Sequence, residues 1–96
     1  MPDRQNEFID TLKARLDDWD AEIRKMRQQA EAASTEMKAQ YEKQLVELRK
    51  QRDLAEQRLE TLRKTGDDAY EDIRKGAEKA FDDLSEAVRK AWSRLD

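Results

Sequence analysis

Apolar residues recur along the first two thirds of this chain at alternating steps of three and four. The seam reads Ile9, Leu12, Leu16, Trp19, Ile23, Met26, Ala30, Ala33, Met37. That alternation is the heptad signature of helices wound on one another, because 3.5 residues per turn keeps one stripe facing a partner. The seam continues as Tyr41, Leu45, Leu48, Arg52, Ala55, Leu59, Leu62. From Ala33 through Met37, Tyr41 and Leu45 the steps are all four, a stutter that locally unwinds a left-handed supercoil.

Composition narrows the class. Apolar residues make up 36% and charged residues 45%, a balance found in disordered chains and in long helices. The periodicity selects helix. Strong helix formers dominate, and the chain holds two glycines and one proline, Pro2. No stretch alternates as a strand does.

The expected N-caps of the first helix are Asp3 or Asn6. Around Ala30-Glu31-Ala32-Ala33-Ser34-Thr35 the chain carries no Gly, Pro or Asn. Ser34 and Thr35 are cap residues, but alanine is the best helix former. The expectation is one continuous helix over residues 1–64, roughly 90 Å long at 1.5 Å per residue. Its seam needs partner helices, from its own chain or another. The break comes at 65–68. Gly66 suits a left-handed closing position, and Asp67 suits the next N-cap, with Asp68 and Glu71 favourable in the first turn. The alternative is a kink in a single helix.

Residues 69–96 contain an eleven-residue repeat: AYEDIRKGAEK, AFDDLSEAVRK, then AWSRLD. Each copy opens on Ala and an aromatic (Tyr70, Phe81, Trp92). An aliphatic residue follows three positions later (Ile73, Leu84, Leu95), with Val88 on the same face. Eleven residues in three turns is 3.67 per turn, so the stripe barely drifts. Glu71 to Lys75 and Glu86 to Lys90 are favourable i,i+4 pairs. One reading of the stripe is a helix-packing seam, which the small neighbours Ala69, Gly76, Ala77, Ala80, Ala87 and Ala91 would let a partner approach. The other is a face that lies on a membrane or on another protein; the net acidity of this segment argues against anionic lipid.

The chemistry is restricted. There is no Cys and no His, so Ser-His and Cys-His nucleophilic sites lack their parts, as do zinc sites built on those ligands. Gly66 and Gly76 stand alone, not in a phosphate loop. Asp17-Asp18, Asp67-Asp68 and Asp82-Asp83 are neighbours in sequence, and adjacent helical residues do not face each other. Ser34, Ser85 and Ser93 read as cap or surface residues. No catalytic residue, metal or cofactor is expected. Residues 1–66 hold fourteen acids and fourteen bases. Residues 67–96 hold nine and six, which accounts for the net charge of −3. With no basic stripe, nucleic acid is not an expected partner, nor is a small-molecule substrate. No segment reaches the length of a membrane span, and the start is not that of a signal peptide; the expected location is the cytoplasm, with peripheral membrane contact as a variant. Arg52, at a seam position, either snorkels to water or specifies register or partner.

Three stretches carry a resemblance: Leu16-Asp17-Asp18-Trp19-Asp20-Ala21-Glu22-Ile23, Tyr41-Glu42-Lys43-Gln44-Leu45, and Gly66-Asp67-Asp68-Ala69-Tyr70-Glu71-Asp72 with its downstream copies. Their order resembles a family of short bacterial coiled-coil proteins labelled stress-response proteins, over roughly residues 8–95. Tyr70 stands where many relatives carry Trp, and Arg94 breaks the repeat that Asp72 and Asp83 share. The resemblance implies a bacterial, non-enzymatic, stress-linked role.

The expected architecture is therefore all-α: a long coiled-coil helix, a hinge at Gly66 and Asp67, and a shorter amphipathic helix packed back as a hairpin or bundle, completed by homo-oligomerisation. The oligomer or core seam is Leu12, Leu16, Trp19, Ile23, Met26, Met37, Tyr41, Leu45, Leu48, Leu59 and Leu62. Its expected function is structural or scaffolding self-association linked to stress tolerance. The alternatives are a peripheral membrane module acting through residues 67–96 and a holdase-type chaperone.

Overall fold

In the computed structural model, residues 2–95 are described, with side chains described for 7–66 and 68–95. The first helix, α1, spans Pro2–Glu31. Proline at a helix start costs nothing, since its missing N–H would have no intrahelical partner there. Asp3 and Asn6 fall inside α1 rather than ahead of it, and their side chains lie outside the described residues.

The continuous helix over 1–64 does not form. The chain leaves helical geometry at Ala32–Ser34, and a second helix, α2, spans Thr35–Lys64. Ser34 is its N-cap: it is extended (φ −65°, ψ 164°), and its hydroxyl accepts from the Met37 N–H at 3.4 Å. The Ala33 N–H closes the turn on the Ala30 carbonyl at 3.2 Å. A straight helix would leave the whole seam in water, whereas the hairpin buries Leu12, Met26, Leu48 and Leu62 to 1% exposure or less. At roughly 25 cal/mol per Å² of apolar surface, that outweighs a few lost helical hydrogen bonds. The stutter read from Ala33 to Leu45 begins at this turn and runs into α2.

The second break lies where expected but is built differently. Thr65 caps α2 in an extended conformation (φ −82°, ψ 137°) and donates its N–H to the Leu62 carbonyl. Neither glycine takes a positive φ, so Gly66 is not the left-handed closing residue. One 3-10 turn over Asp67–Ala69 follows, and α3 spans Tyr70–Leu95. The Asp67 side chain, expected to cap, is outside the described residues.

Residue pairings give the topology. Asp20 meets Arg52 and Gln29 meets Tyr41, so α1 and α2 are antiparallel. Phe8 lies under Arg74, Arg15 beside Asp82 and Lys25 beside Trp92, so α1 and α3 are parallel. The result is an up–down–up three-helix bundle of 52 × 18 × 18 Å, with no strand among the described residues. Its core joins Leu12, Leu16 and Met26 of α1, Leu45, Leu48, Ala55, Leu59 and Leu62 of α2, and Tyr70, Phe81, Leu84, Val88 and Leu95 of α3. Burial raises the Tyr70 hydroxyl pKa above its ordinary value.

Candidate interaction face

The three seams of the bundle are held by different chemistry. Between α1 and α2 the central element is Arg52. Its Nε donates to Asp20 Oδ1 at 2.8 Å and its Nη2 to Asp20 Oδ2 at 3.2 Å, a two-pronged contact across the hairpin. Its Nη1 also reaches Asp53 at 3.3 Å and Glu56, one turn on. The hydrogen bond to Asp20 is the main cause raising the guanidinium pKa above its ordinary value. The fork meets both oxygens of one carboxylate on the facing helix, a contact within the chain. Tyr41 adds a hydroxyl bond to Gln29 at 3.3 Å.

Between α2 and α3 the core is apolar, and a groove of about 230 Å³, lined by Glu47, Asp83, Lys90 and the buried Gln44, runs along its edge. Between α1 and α3 the helices touch least, and a groove of about 640 Å³ opens along them. Trp19 and Trp92 flank it, Val88 lies in its floor, and Glu22, Asp82, Ser85, Glu86 and Arg89 form its rim. Trp92 Nε1 donates to Glu22 Oε2 at 3.0 Å. The Arg15 guanidinium lies over the Phe81 ring (5.6 Å) and 3.6 Å from Asp82, and Lys25 lies over Trp92 (5.9 Å). Trp19 Nε1 is enclosed with no acceptor; removing such a donor from water costs about 1–3 kcal/mol.

The expected seam residues fall into two groups. Leu12, Leu16, Met26, Leu45, Leu48, Leu59 and Leu62 are buried within the single chain; Trp19, Ile23 and Tyr41 pack against that core half-buried. Met37 is 37% exposed. It lies on the stripe of Leu48 and Ala55, but near the hairpin turn, where its surroundings do not enclose it. The expected membrane or partner face is turned inward: Tyr70, Phe81, Leu84, Val88 and Leu95 are core, and Ile73 and Trp92 are half-buried against it. Lipid contact through those residues requires α3 to leave the bundle. Gly76, read as a point of close helix approach, has nothing within 4 Å of where a Cβ would stand. Of the two i,i+4 pairs in α3, Glu86–Lys90 forms at 3.2 Å, whereas Glu71 meets Arg74 at 3.6 Å.

The contacts of Asp20, Glu22, Arg15 and Asp82 escaped the sequence reading, because charged residues flanking a seam look like solvated surface until the register of the hairpin is known. Among the described residues, no helix is long and apolar enough to cross a membrane, and no three metal-ligating side chains are grouped to hold an ion.

The fold and its open groove define a small all-helical bundle. No protein-family model matches the chain, and no curated protein and no solved structure matches it.

Proposed function

We propose that this chain is a non-enzymatic bundle protein that acts by associating with itself, as a scaffold element. The observation that supports this reading is the pair of tryptophans on the α1–α3 groove. Grooves run along all three seams, of about 460 Å³ between α1 and α2, 230 Å³ between α2 and α3 and 640 Å³ between α1 and α3, and the last is flanked by two tryptophans. Aromatic residues on an open helical groove suit recognition of another helical surface, because they supply large contact area at small entropy cost. The heptad seam by itself no longer demands a partner, since one chain buries most of it. In this reading self-association uses the outer surface and not Leu12, Leu48 or Leu62. The link to stress tolerance is supported by the family resemblance.

The test is sedimentation equilibrium of the full chain over a hundredfold concentration range. A weight-average mass rising from 11.4 kDa toward a multiple of it is the expected result; a constant 11.4 kDa would remove the scaffold reading.

A further inference from the structure

We infer that the turn at 32–34 is an exchange hinge. In a second form of the protein it straightens, residues 2–64 run as one helix, and each of two copies lays its α1 against α2 and α3 of the other. This association is separate from the groove reading above, which joins closed chains, and does not rest on it.

The seam is a mirror image of itself about the turn. The Asp20–Arg52 and Gln29–Tyr41 contacts put the mirror point between Thr35 and Glu36. On that mirror Leu12 stands level with Leu59, Ile23 with Leu48 and Met26 with Leu45. A seam with this symmetry pairs with an antiparallel copy as well as with its own second half. The level nearest the mirror point tells the two forms apart. Ala33 stands level with Met37, and in the hairpin both fall at the turn, Ala33 half-buried and Met37 37% exposed. In the exchanged form the two-fold axis crosses here. Met37 of each copy then meets Ala33 of the other, which covers a large apolar side chain that the hairpin leaves in water.

The local chain favours straightening. Ala32 and Ala33 are the best helix formers, and no residue of the turn has a positive φ. The turn is closed by the Ala33–Ala30 bond at 3.2 Å and the Ser34 cap at 3.4 Å, the latter longer than usual. From Ala30 to Leu48 the seam takes five steps in eighteen residues, the 3.6 per turn of a straight helix, so the stutter keeps one face through the join. The connection at 65–69 differs: Gly66, Asp67 and Asp68 are weak helix formers and turn residues, and it stays bent in both forms. The contacts of α1 with α2 and α3, the Arg52 fork included, are the same in both forms. They are made between copies instead of within one. By the Arg15–Asp82 and Lys25–Trp92 contacts, Leu95 at the end of α3 lies level with Gln28, about 10 Å short of the axis, so the two α3 helices do not collide. The charges of residues 31–40 are Glu31, Glu36 and Lys38, all exposed. Glu36 comes nearest its own copy, and repulsion between such exposed groups is weak and screened.

The test refolds the full chain from urea at low and high concentration and measures its mass by sedimentation equilibrium. Dyes on Thr11→Cys and Thr61→Cys, in a chain with no Cys of its own, report energy transfer within a labelled chain diluted into a large excess of unlabelled chain. In the closed form these exposed positions stand level on neighbouring helices; in the exchanged form roughly 75 Å of helix separates them. The expected result is a dimer with little transfer. Ala32→Gly with Ala33→Gly, which weakens the continuous helix and suits the turn, is expected to raise the dimer Kd roughly tenfold or more. Met37→Gln, exposed in the closed chain, is expected to raise it several-fold while leaving the monomer's urea midpoint unchanged. A dimer with the monomer's transfer would mean that closed chains associate: the exchange falls and the self-association reading stands. A monomer at every concentration removes both. A low-transfer dimer that neither variant weakens would overturn the hinge and the axis. Should the glycine pair lose helicity by circular dichroism, Met37→Gln decides alone.

Discussion

The hairpin of α1 and α2 and the docking of α3 are two solutions to one problem, fixing the height of one helix against another. In the hairpin the height is fixed by a charged fork, Arg52 on Asp20. In the docking of α3 it is fixed by shape: Phe81 and Leu84 are completely enclosed, and the polar links to α1 are the exposed Arg15–Asp82 pair and the Trp92–Glu22 bond. Apolar seams with similar side chains at each level tolerate slippage, and a polar group at a seam position resists it. The short 32–34 turn leaves α2 many Leu and Ala positions against α1, and there the charge is needed. The aromatic-led repeat of α3 supplies one large ring per copy, and there it is not.

The sharpest way to break the comparison is to remove the ring. Phe81→Ala leaves a cavity where no solvent reaches, and a buried Phe→Ala change costs about 3–5 kcal/mol. Urea unfolding of this variant is expected to show that loss. Hydrogen exchange should show α3 amides losing protection before those of the α1–α2 hairpin. Equal loss of protection in all three helices would mean the bundle is one cooperative unit and that the two modes of docking are not separable.

The charged fork is expected to matter less for stability and more for register. Asp20→Asn removes one arm while Asp53 and Glu56 still hold Arg52. A half-buried pair of this kind contributes about 1 kcal/mol. The informative quantity is the coupling energy in the cycle of Asp20→Asn, Arg52→Gln and the double change. A coupling near zero would reduce Arg52 to a snorkelling side chain.

How much of this was legible in the sequence depends on whether the deciding interaction is local. Helicity throughout, the break near Gly66 and most core positions follow from spacing and propensity, which act within a few residues. The turn at 32–34 does not. Ala32 and Ala33 are good helix formers, and the chain turns there because doing so lets the seams of α1 and α2 share one core with α3, a gain that no local window contains. The same holds for Arg52: its partner Asp20 is 32 residues away, and only the hairpin register brings them together. The α3 stripe was legible as a stripe, but its partner was not, since an apolar face suits lipid and helix equally until a neighbour is placed on it.

The two breaks sharpen the comparison at smaller energy. Ser34 is the cap that starts α2, and its loss to Ala is expected to cost about 0.5–1 kcal/mol, the low end for an exposed cap with a 3.4 Å bond. Gly66→Ala, by contrast, is expected to be neutral or slightly stabilising. Gly66 has no positive φ and open space around it. Chemical denaturation of the pair ranks them, and a Gly66→Ala cost larger than that of Ser34→Ala would reverse the assignment of which turn depends on its residue type.

Gly76 carries the smallest effect and the one with the least expected sign. A glycine inside a helix is weaker than alanine by about 0.5–1 kcal/mol, because the unfolded chain gives up more freedom. Such a residue is usually retained where a neighbouring helix comes too close for a Cβ, which is how the stripe of small residues on α3 reads from the sequence. Around Gly76 that neighbour is missing: nothing lies within 4 Å of the Cβ position. Gly76→Ala should therefore raise stability by about 0.5–1 kcal/mol, seen as a higher denaturation midpoint with an unchanged slope. If it lowers the midpoint instead, something approaches Gly76 that the isolated bundle lacks. Repeating the measurement at concentrations below and above any dimer Kd would then tell a second copy from a tighter fit of α3 within the chain.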